Sequence, residues 1–233
     1  MCAREIAEDF DVPEDKITMI HNSVSLERFQ RESLREKALT LRKSLGLPKG
    51  ALVYLFLGTG YQRKGLDALL KAFSRAEFGG ADARLLVVGY DSQQSSFQQL
   101  AQELGIGGRV VFAGGRRDAE VCYAAADVYV LPTRYDPFAN TTLEALASGL
   151  PVITTSTNGG SEVVQPDCGD VLSGADDVTA LQRALERWRD DGLRQAGSKA
   201  ARICASRYDH RDVMEITRLL LEDLAREKSQ IGP

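Results

Sequence analysis

The chain has 233 residues, 43% hydrophobic and 27% charged, with 29 Lys+Arg against 33 Asp+Glu and a net charge of −4. At ~150 residues per domain this length suits one large α/β domain with a full core, and the composition excludes intrinsic disorder. A pI near 5.4 argues against nucleic acid as the main partner, since a phosphate backbone attracts a basic surface, and no apolar run approaches the ~20 residues a transmembrane segment needs.

The first ~45 residues read as an approach to the domain. They contain a charged helix-like piece over residues 2–10, a short strand-like piece over 17–20, and a charged helix over 31–44. From Ala51 onward, short β-branched runs alternate with helical patterns, as βαβ units do. Residues 52–57 form a buried strand, and 65–76 a helix with Leu66, Leu69, Leu70 and Phe73 on one face. Residues 84–88 give the next strand, followed by a polar helix over 95–104 that stops at Gly105. Residues 109–112 are the third strand and 119–125 a short helix; 128–131 are the fourth strand, ended by Pro132. A helix over 142–148 leads into a fifth strand over 151–154, and 169–172 is a short edge strand. Helices over 178–189, 193–207 and 212–228 finish the chain.

Near-continuous apolar strands separated by helices imply a parallel sheet covered on both faces. The expected fold is therefore a doubly wound, Rossmann-like sheet of about six strands, with its ligand at the C-terminal strand ends. The domain is expected over 46–207, with 1–45 as the approach and 208–233 as a terminal helix. Cys2, Cys122, Cys168 and Cys204 form no C-x-x-C pair, so reduced thiols in a cytoplasmic protein are expected instead of a zinc site or disulfide framework. His21 and His210, the only histidines, exclude a histidine-rich metal site, and the N-terminus lacks a signal peptide's apolar stretch.

Four loops at the C-terminal strand ends carry unusual content. The first, Gly58-Thr59-Gly60-Tyr61-Gln62-Arg63-Lys64-Gly65, is not the dinucleotide fingerprint, because Arg63 holds the third glycine position. It is not a P-loop either, since lysine precedes the last glycine. It places two cations at a helix N-terminus, where amides already favour anions; a solvated Arg-Lys pair is the plain alternative. The second, Gly114-Gly115-Arg116-Arg117-Asp118, admits a flat ligand close to the backbone or is a turn with Asp118 capping the next helix.

The third loop, Tyr135-Asp136-Pro137-Phe138-Ala139-Asn140-Thr141-Thr142-Leu143-Glu144, is the most informative. Asp136 and Glu144 stand eight apart, with helix-terminal amides and hydroxyls between them. That arrangement suits a polyhydroxylated, phosphorylated ligand. Equally, Thr141-x-x-Glu144 fits a capping box and Asp136-Pro137 a turn. The fourth loop, Thr157-Asn158-Gly159-Gly160-Ser161-Glu162, reads as a turn and helix cap. All four lie on one rim of the sheet, which favours a ligand site over four unrelated turns.

Over residues 21–205 these features resemble the nucleotide-sugar-binding C-terminal half of retaining GT-B glycosyltransferases of group 1, family 4. Met19-Ile20-His21-Asn22-Ser23-Val24 through Leu26-Glu27-Arg28-Phe29 looks like the approach to that half. Ala124 through Pro132 resembles "AADVFVLPS", and Leu143 through Ile153 resembles "LEAMAxGxPVI". The short first loop and the Gly-Arg-Arg-Asp turn are nearest to lipopolysaccharide core glucosyltransferases.

The resemblance implies a hexosyltransferase using a nucleoside-diphosphate sugar, a UDP-sugar by its nearest branch, with a glycan or lipid-linked acceptor. It implies that Asp136 faces the donor sugar near the reacting carbon and Glu144 holds the ribose hydroxyls. Arg63 and Lys64 would grip the diphosphate, with Gly58, Thr59, Phe138, Ala139, Asn140, Thr141 and Thr142 around it and Arg116 at the nucleobase. No Asp-x-Asp motif accompanies these loops, and no metal or other cofactor is expected. Three positions depart from the family: Asp136 replaces a glutamate, Thr59 an arginine, and Asn22-Ser23-Val24 the usual Asn-Gly-Val. A complete member has an acceptor-binding half before this one, so the chain reads as a fragment whose parent works in the cytoplasm, peripheral to the membrane's inner face, and which is inactive alone. Two alternatives stay open: a nucleotide-sugar-binding module without activity, and a Rossmann oxidoreductase, which Arg63 in the glycine slot opposes.

Overall fold

The computed structural model describes the backbone of residues 2–231 and the side chains of residues 3–226. Two helices, α1 (Cys2–Phe10) and α2 (Arg35–Ser44), precede the first strand, β1 (Leu52–Leu57). Then follow α3 (Leu66–Arg75), β2 (Ala83–Val88), α4 (Gln94–Glu103), β3 (Val110–Gly114), α5 (Ala119–Ala124) and β4 (Val128–Leu131). The chain continues through α6 (Asn140–Ala147), β5 (Val152–Thr155), β6 (Gly169–Leu172), α7 (Val178–Arg187), α8 (Asp191–Ser206) and α9 (His210–Ile231).

The six strands make one sheet in the order β3-β2-β1-β4-β5-β6, and every pair is parallel. This is the doubly wound order, in which the winding reverses between β1 and β4 and a crevice opens at their C-terminal ends. The apolar run of β1 explains the cover on both faces: Val53, Tyr54, Leu55 and Phe56 have no exposed surface, so neither face of this central strand is wet. α3 packs with α7 and α6 with α8. The Tyr54 hydroxyl, enclosed among apolar groups, donates to the Leu185 carbonyl at 2.6 Å, and the Trp188 indole N–H donates to Asp170 Oδ2 at 2.6 Å.

The approach segment is tied to the bottom of this sheet. Val24, Phe29, Ala38 and Leu41 are buried in the same apolar cluster as the strands. Asp127, at the foot of β4, accepts from the Val53 amide and from Arg42, both at 2.8 Å. Arg42 also donates to the Ala125 and Ala51 carbonyls, so one guanidinium closes three backbone and carboxylate acceptors that the strand ends leave open.

The sequence expectations for the six strands and their order of helices hold, with ends displaced by at most three residues. Two pieces differ. Residues 17–20 form no strand: a 3-10 turn over Glu14–Lys16 precedes them, and among the described residues no strand lies alongside to complete a ladder. The helix expected over 31–44 begins at Arg35, after turns that bring Phe29 into the core.

Gly65 explains the order Lys-Gly in the first loop. It caps α3 at φ +75°, and a Cβ there would lie 1.9 Å from the Pro132 carbonyl oxygen. Only glycine lets the first turn of α3 pass beneath the end of β4. Gly65→Ala is expected to lower unfolding stability by about 3 kcal/mol or more, combining left-handed strain with a backbone collision. Urea midpoints of the two proteins check this, and an unchanged midpoint would show that α3 can shift at little cost.

Candidate functional site

The two loops flanking the point of reversal meet directly. Lys64 is 7% exposed, its stem running 3.7 Å from where a Cβ on Gly58 would sit. Its ammonium pairs with Asp136 Oδ2. Arg63 reaches the same oxygen at 3.2 Å and the Tyr135 carbonyl at 2.9 Å, while remaining half exposed. Burial pulls the Lys64 ammonium below the ordinary lysine range, against the opposing pull of the Asp136 carboxylate. Asp136 is itself fixed: Oδ1 accepts from the Phe138 amide at 3.1 Å, and its backbone pairs with the fourth loop through Thr157 and Gly159. The turn expected at Asp136-Pro137 is therefore present, and the carboxylate that closes it also meets both cations.

Helix α6 starts at Asn140, two residues earlier than its sequence pattern indicates, with Ala139 as a cap that makes no side-chain hydrogen bond. The capping box is not formed. Thr141 Oγ1 instead accepts from the Tyr129 hydroxyl at 2.7 Å, and Glu144 Oε2 accepts from the Tyr123 hydroxyl at 2.8 Å. The amides of Asn140 and Thr141 are thus first-turn donors without an intrahelical acceptor, directed where a helix end favours anions. Burial pushes the Glu144 carboxyl above the ordinary carboxylate range, with the Tyr123 hydroxyl and Arg28 opposing it.

Other expected residues are placed differently. Thr142 has no exposed surface and its hydroxyl accepts from Asn158 Nδ2 at 2.9 Å, so it props the loop from within. The Ala139 side chain is buried and its amide donates to Asn158 Oδ1 at 3.1 Å. Phe138 is half-buried, its ring meeting the His21 ring edge-on at 6.0 Å. Gly58 lies behind Lys64, and Thr59 is exposed on the rim. Arg116 makes a two-pronged pair with Asp118 at 2.9 and 2.8 Å and lines a separate groove beside α2 with Glu36, Lys37 and Thr40; no contact joins it to Lys64, Asp136 or Glu144.

Several supports were not legible beforehand. Asn158, fully buried, uses its amide for Ala139, Gly160, Thr142 and Thr154, stapling the third loop to β5. Its role as a cap was readable; its reach across the crevice was not. Arg134 grips Asp67 and the Gln62 carbonyl and so secures the first loop. Tyr123 and Tyr129 lie among apolar residues where a buried hydroxyl needs a partner, and that signal points to them. The sequence's single Asp-x-Asp triplet, Asp9-Phe10-Asp11, stands at the end of α1, outside all four rim loops.

Residues 38–203 match the family described as "Glycosyl transferases group 1", and the chain belongs to that family. It is 31% identical over 171 residues to the lipopolysaccharide glucosyltransferase WaaG of Escherichia coli, covering 72% of this chain and 46% of that protein. The crystal structure of WaaG superposes with a TM-score of 0.76 at 25% identity, over 87% of this chain and 55% of that one. HepE of Anabaena, solved in complex with UDP, superposes with a TM-score of 0.77 at 20% identity, over 94% and 60%. This chain spans about half the length of the curated relatives it matches, 43% and 46% in two cases. Membership in this family removes the oxidoreductase alternative.

Glu144 gives a test of whether the site carries a cost in stability. A carboxyl with a raised folded pKa binds its proton more tightly when folded. Its contribution is therefore most favourable below the unfolded value of about 4.3, and declines as pH rises through the folded value. Glu144→Gln, which keeps an acceptor for Tyr123, is expected to flatten that decline and to gain stability relative to the parent at pH 7. Urea midpoints between pH 4 and 7.5 measure it; parallel curves would show that the buried charge carries no penalty.

Proposed function

We propose that this chain is the donor-binding half of a retaining glycosyltransferase that moves a hexose from a UDP-sugar to a glycan or lipopolysaccharide-type acceptor. The observation that carries the reading is the convergence of Lys64, Arg63 and the α6 amides beside Asp136 at the reversal between β1 and β4. A doubly wound sheet binds its ligand there. UDP bound in HepE and the lipopolysaccharide substrate class of WaaG favour the finer choices of donor and acceptor.

The reaction breaks the bond between the sugar's anomeric carbon and the diphosphate oxygen. Positive charge develops on the sugar ring and negative charge on the departing diphosphate. Lys64, Arg63 and the amides of Asn140 and Thr141 stabilise the departing charge as preorganised donors, a kind of electrostatic contribution that usually dominates such barriers. These cations support a mechanism without a required metal. Asp136 orients the sugar hydroxyls near the reacting carbon, and as the ligand arrives its hold on Lys64 passes to the phosphates. Glu144, positioned by Tyr123, accepts from the ribose hydroxyls; Arg116 meets the nucleobase only after releasing Asp118, with which it pairs in a separate groove. Because this chain spans about half of its relatives' length, we infer that alone it binds the donor without transferring the sugar.

Thermal unfolding against UDP, GDP, ADP and their hexose conjugates tests the reading. Saturation to ~100 times Kd adds about 2.7 kcal/mol, a rise in melting temperature of roughly 5–11 °C for a chain this size. The expected result is a shift with the UDP series that is largely lost in Lys64→Ala, and in the complete enzyme a loss of transfer by about 100-fold or more. A chain that no nucleoside diphosphate stabilises, or a Lys64→Ala variant that binds as the parent does, would overturn it.

A further inference from the structure

The strap formed by residues 21–24 crosses from the root of α9 to the mouth of the crevice. On one side, the Val24 amide donates to the Tyr208 carbonyl and the His210 amide to the Val24 carbonyl, both at 3.0 Å. Ser23 Oγ lies 3.0 Å from His210 Nδ1. On the other side, His21 Nε2 stands 3.1 Å from Glu162 Oε2, and its ring is edged by Phe138 and Tyr208 at 6.0 and 5.6 Å. Between these anchors, exposed Asn22 donates from Nδ2 to Asn140 Oδ1 at 2.6 Å.

That single contact has a chemical consequence. A side-chain amide has an acceptor end and a donor end. With the oxygen of Asn140 held by Asn22, its NH2 group remains as the end available to a ligand. Asn140 is the first residue of α6, beside the amides already proposed to receive phosphate oxygens. An amide turned the other way would set a carbonyl oxygen against the same anion.

Resting on the donor-binding reading above, we propose that Asn22 is a positioning residue that locks the Asn140 amide with its donor end toward the donor diphosphate. Asn22 itself touches no ligand. Its effect runs through Asn140, and His21 and Val24 hold the strap so that Asn22 keeps its register.

The test uses the full chain with UDP and uridine, titrated calorimetrically against the parent and variants. A hydrogen bond to a charged group is worth enough that Asn140→Ala should weaken UDP by about tenfold. Asn22→Ala should weaken UDP by a smaller factor, because the freed amide samples both orientations. Asn22→Asp, an acceptor only, should weaken it most, by drawing the NH2 end of Asn140 away from the ligand. Uridine, lacking phosphates, should bind all variants as it binds the parent. In the double variant with Asn140→Ala, Asn22→Ala should add no further loss, the coupling expected of a residue acting through another. Losses that add independently, that fall equally on uridine, or that are absent in Asn22→Asp would overturn the proposal while leaving the donor-binding reading intact. A parent chain that binds neither UDP, GDP nor ADP would overturn that reading and this proposal with it.

Discussion

Lys64 and Asp136 leave the sheet on the two strands between which its winding reverses, and their ion pair bridges the crevice that opens there. A paired charge in this setting gives little net stability, because desolvating both partners offsets most of their attraction. The surrounding backbone nonetheless converges on keeping it. Gly65 passes under Pro132 so that Lys64 can turn inward, the Phe138 amide holds one oxygen of Asp136, and Asn158 pins the loop behind both. Such investment in a costly pair suits the proposed role, in which charge is held ready for a ligand of opposite sign.

Glu144 follows the same logic from the other side of the crevice. It is a carboxylate kept partly out of water, with the Tyr123 hydroxyl donating to it, so folding works against its charge. Lys64 is depressed and Glu144 raised by the same cause, burial. In the proposed reading they make one edge for phosphate and one for hydroxyls, which suits a sugar nucleotide better than a dinucleotide held by a glycine-rich turn.

The approach segment was the least legible part. Its charged composition reads as an approach to the domain, yet Arg42 and Arg31 turn their guanidinium groups onto Asp127 and the Ala126 and Ala125 carbonyls, while Phe29 and Leu41 enter the core. Long side chains that bury their stems and spend their charges on strand-end carbonyls hide from a hydropathy pattern. Residues 17–20 mislead in the opposite way: two isoleucines within four residues suggest a strand, but a strand exists only where another offers its open edge.

The amino-acid sequence alone determined the doubly wound sheet, the rim on which the four loops gather and the family to which the chain belongs. Those depend on local periodicity, on apolar runs too continuous for a half-exposed sheet, and on motifs in fixed order. Only the tertiary structure decided that Thr141 and Glu144 answer to Tyr129 and Tyr123 rather than to a capping box, that Thr142 faces inward, and that Arg116 is held by Asp118. It alone set Lys64 on Asp136, 72 residues away, and Asn22 on Asn140, 118 residues away. Partnerships at such separations arise from where the winding of the sheet brings its loops, and no spacing along the chain encodes them.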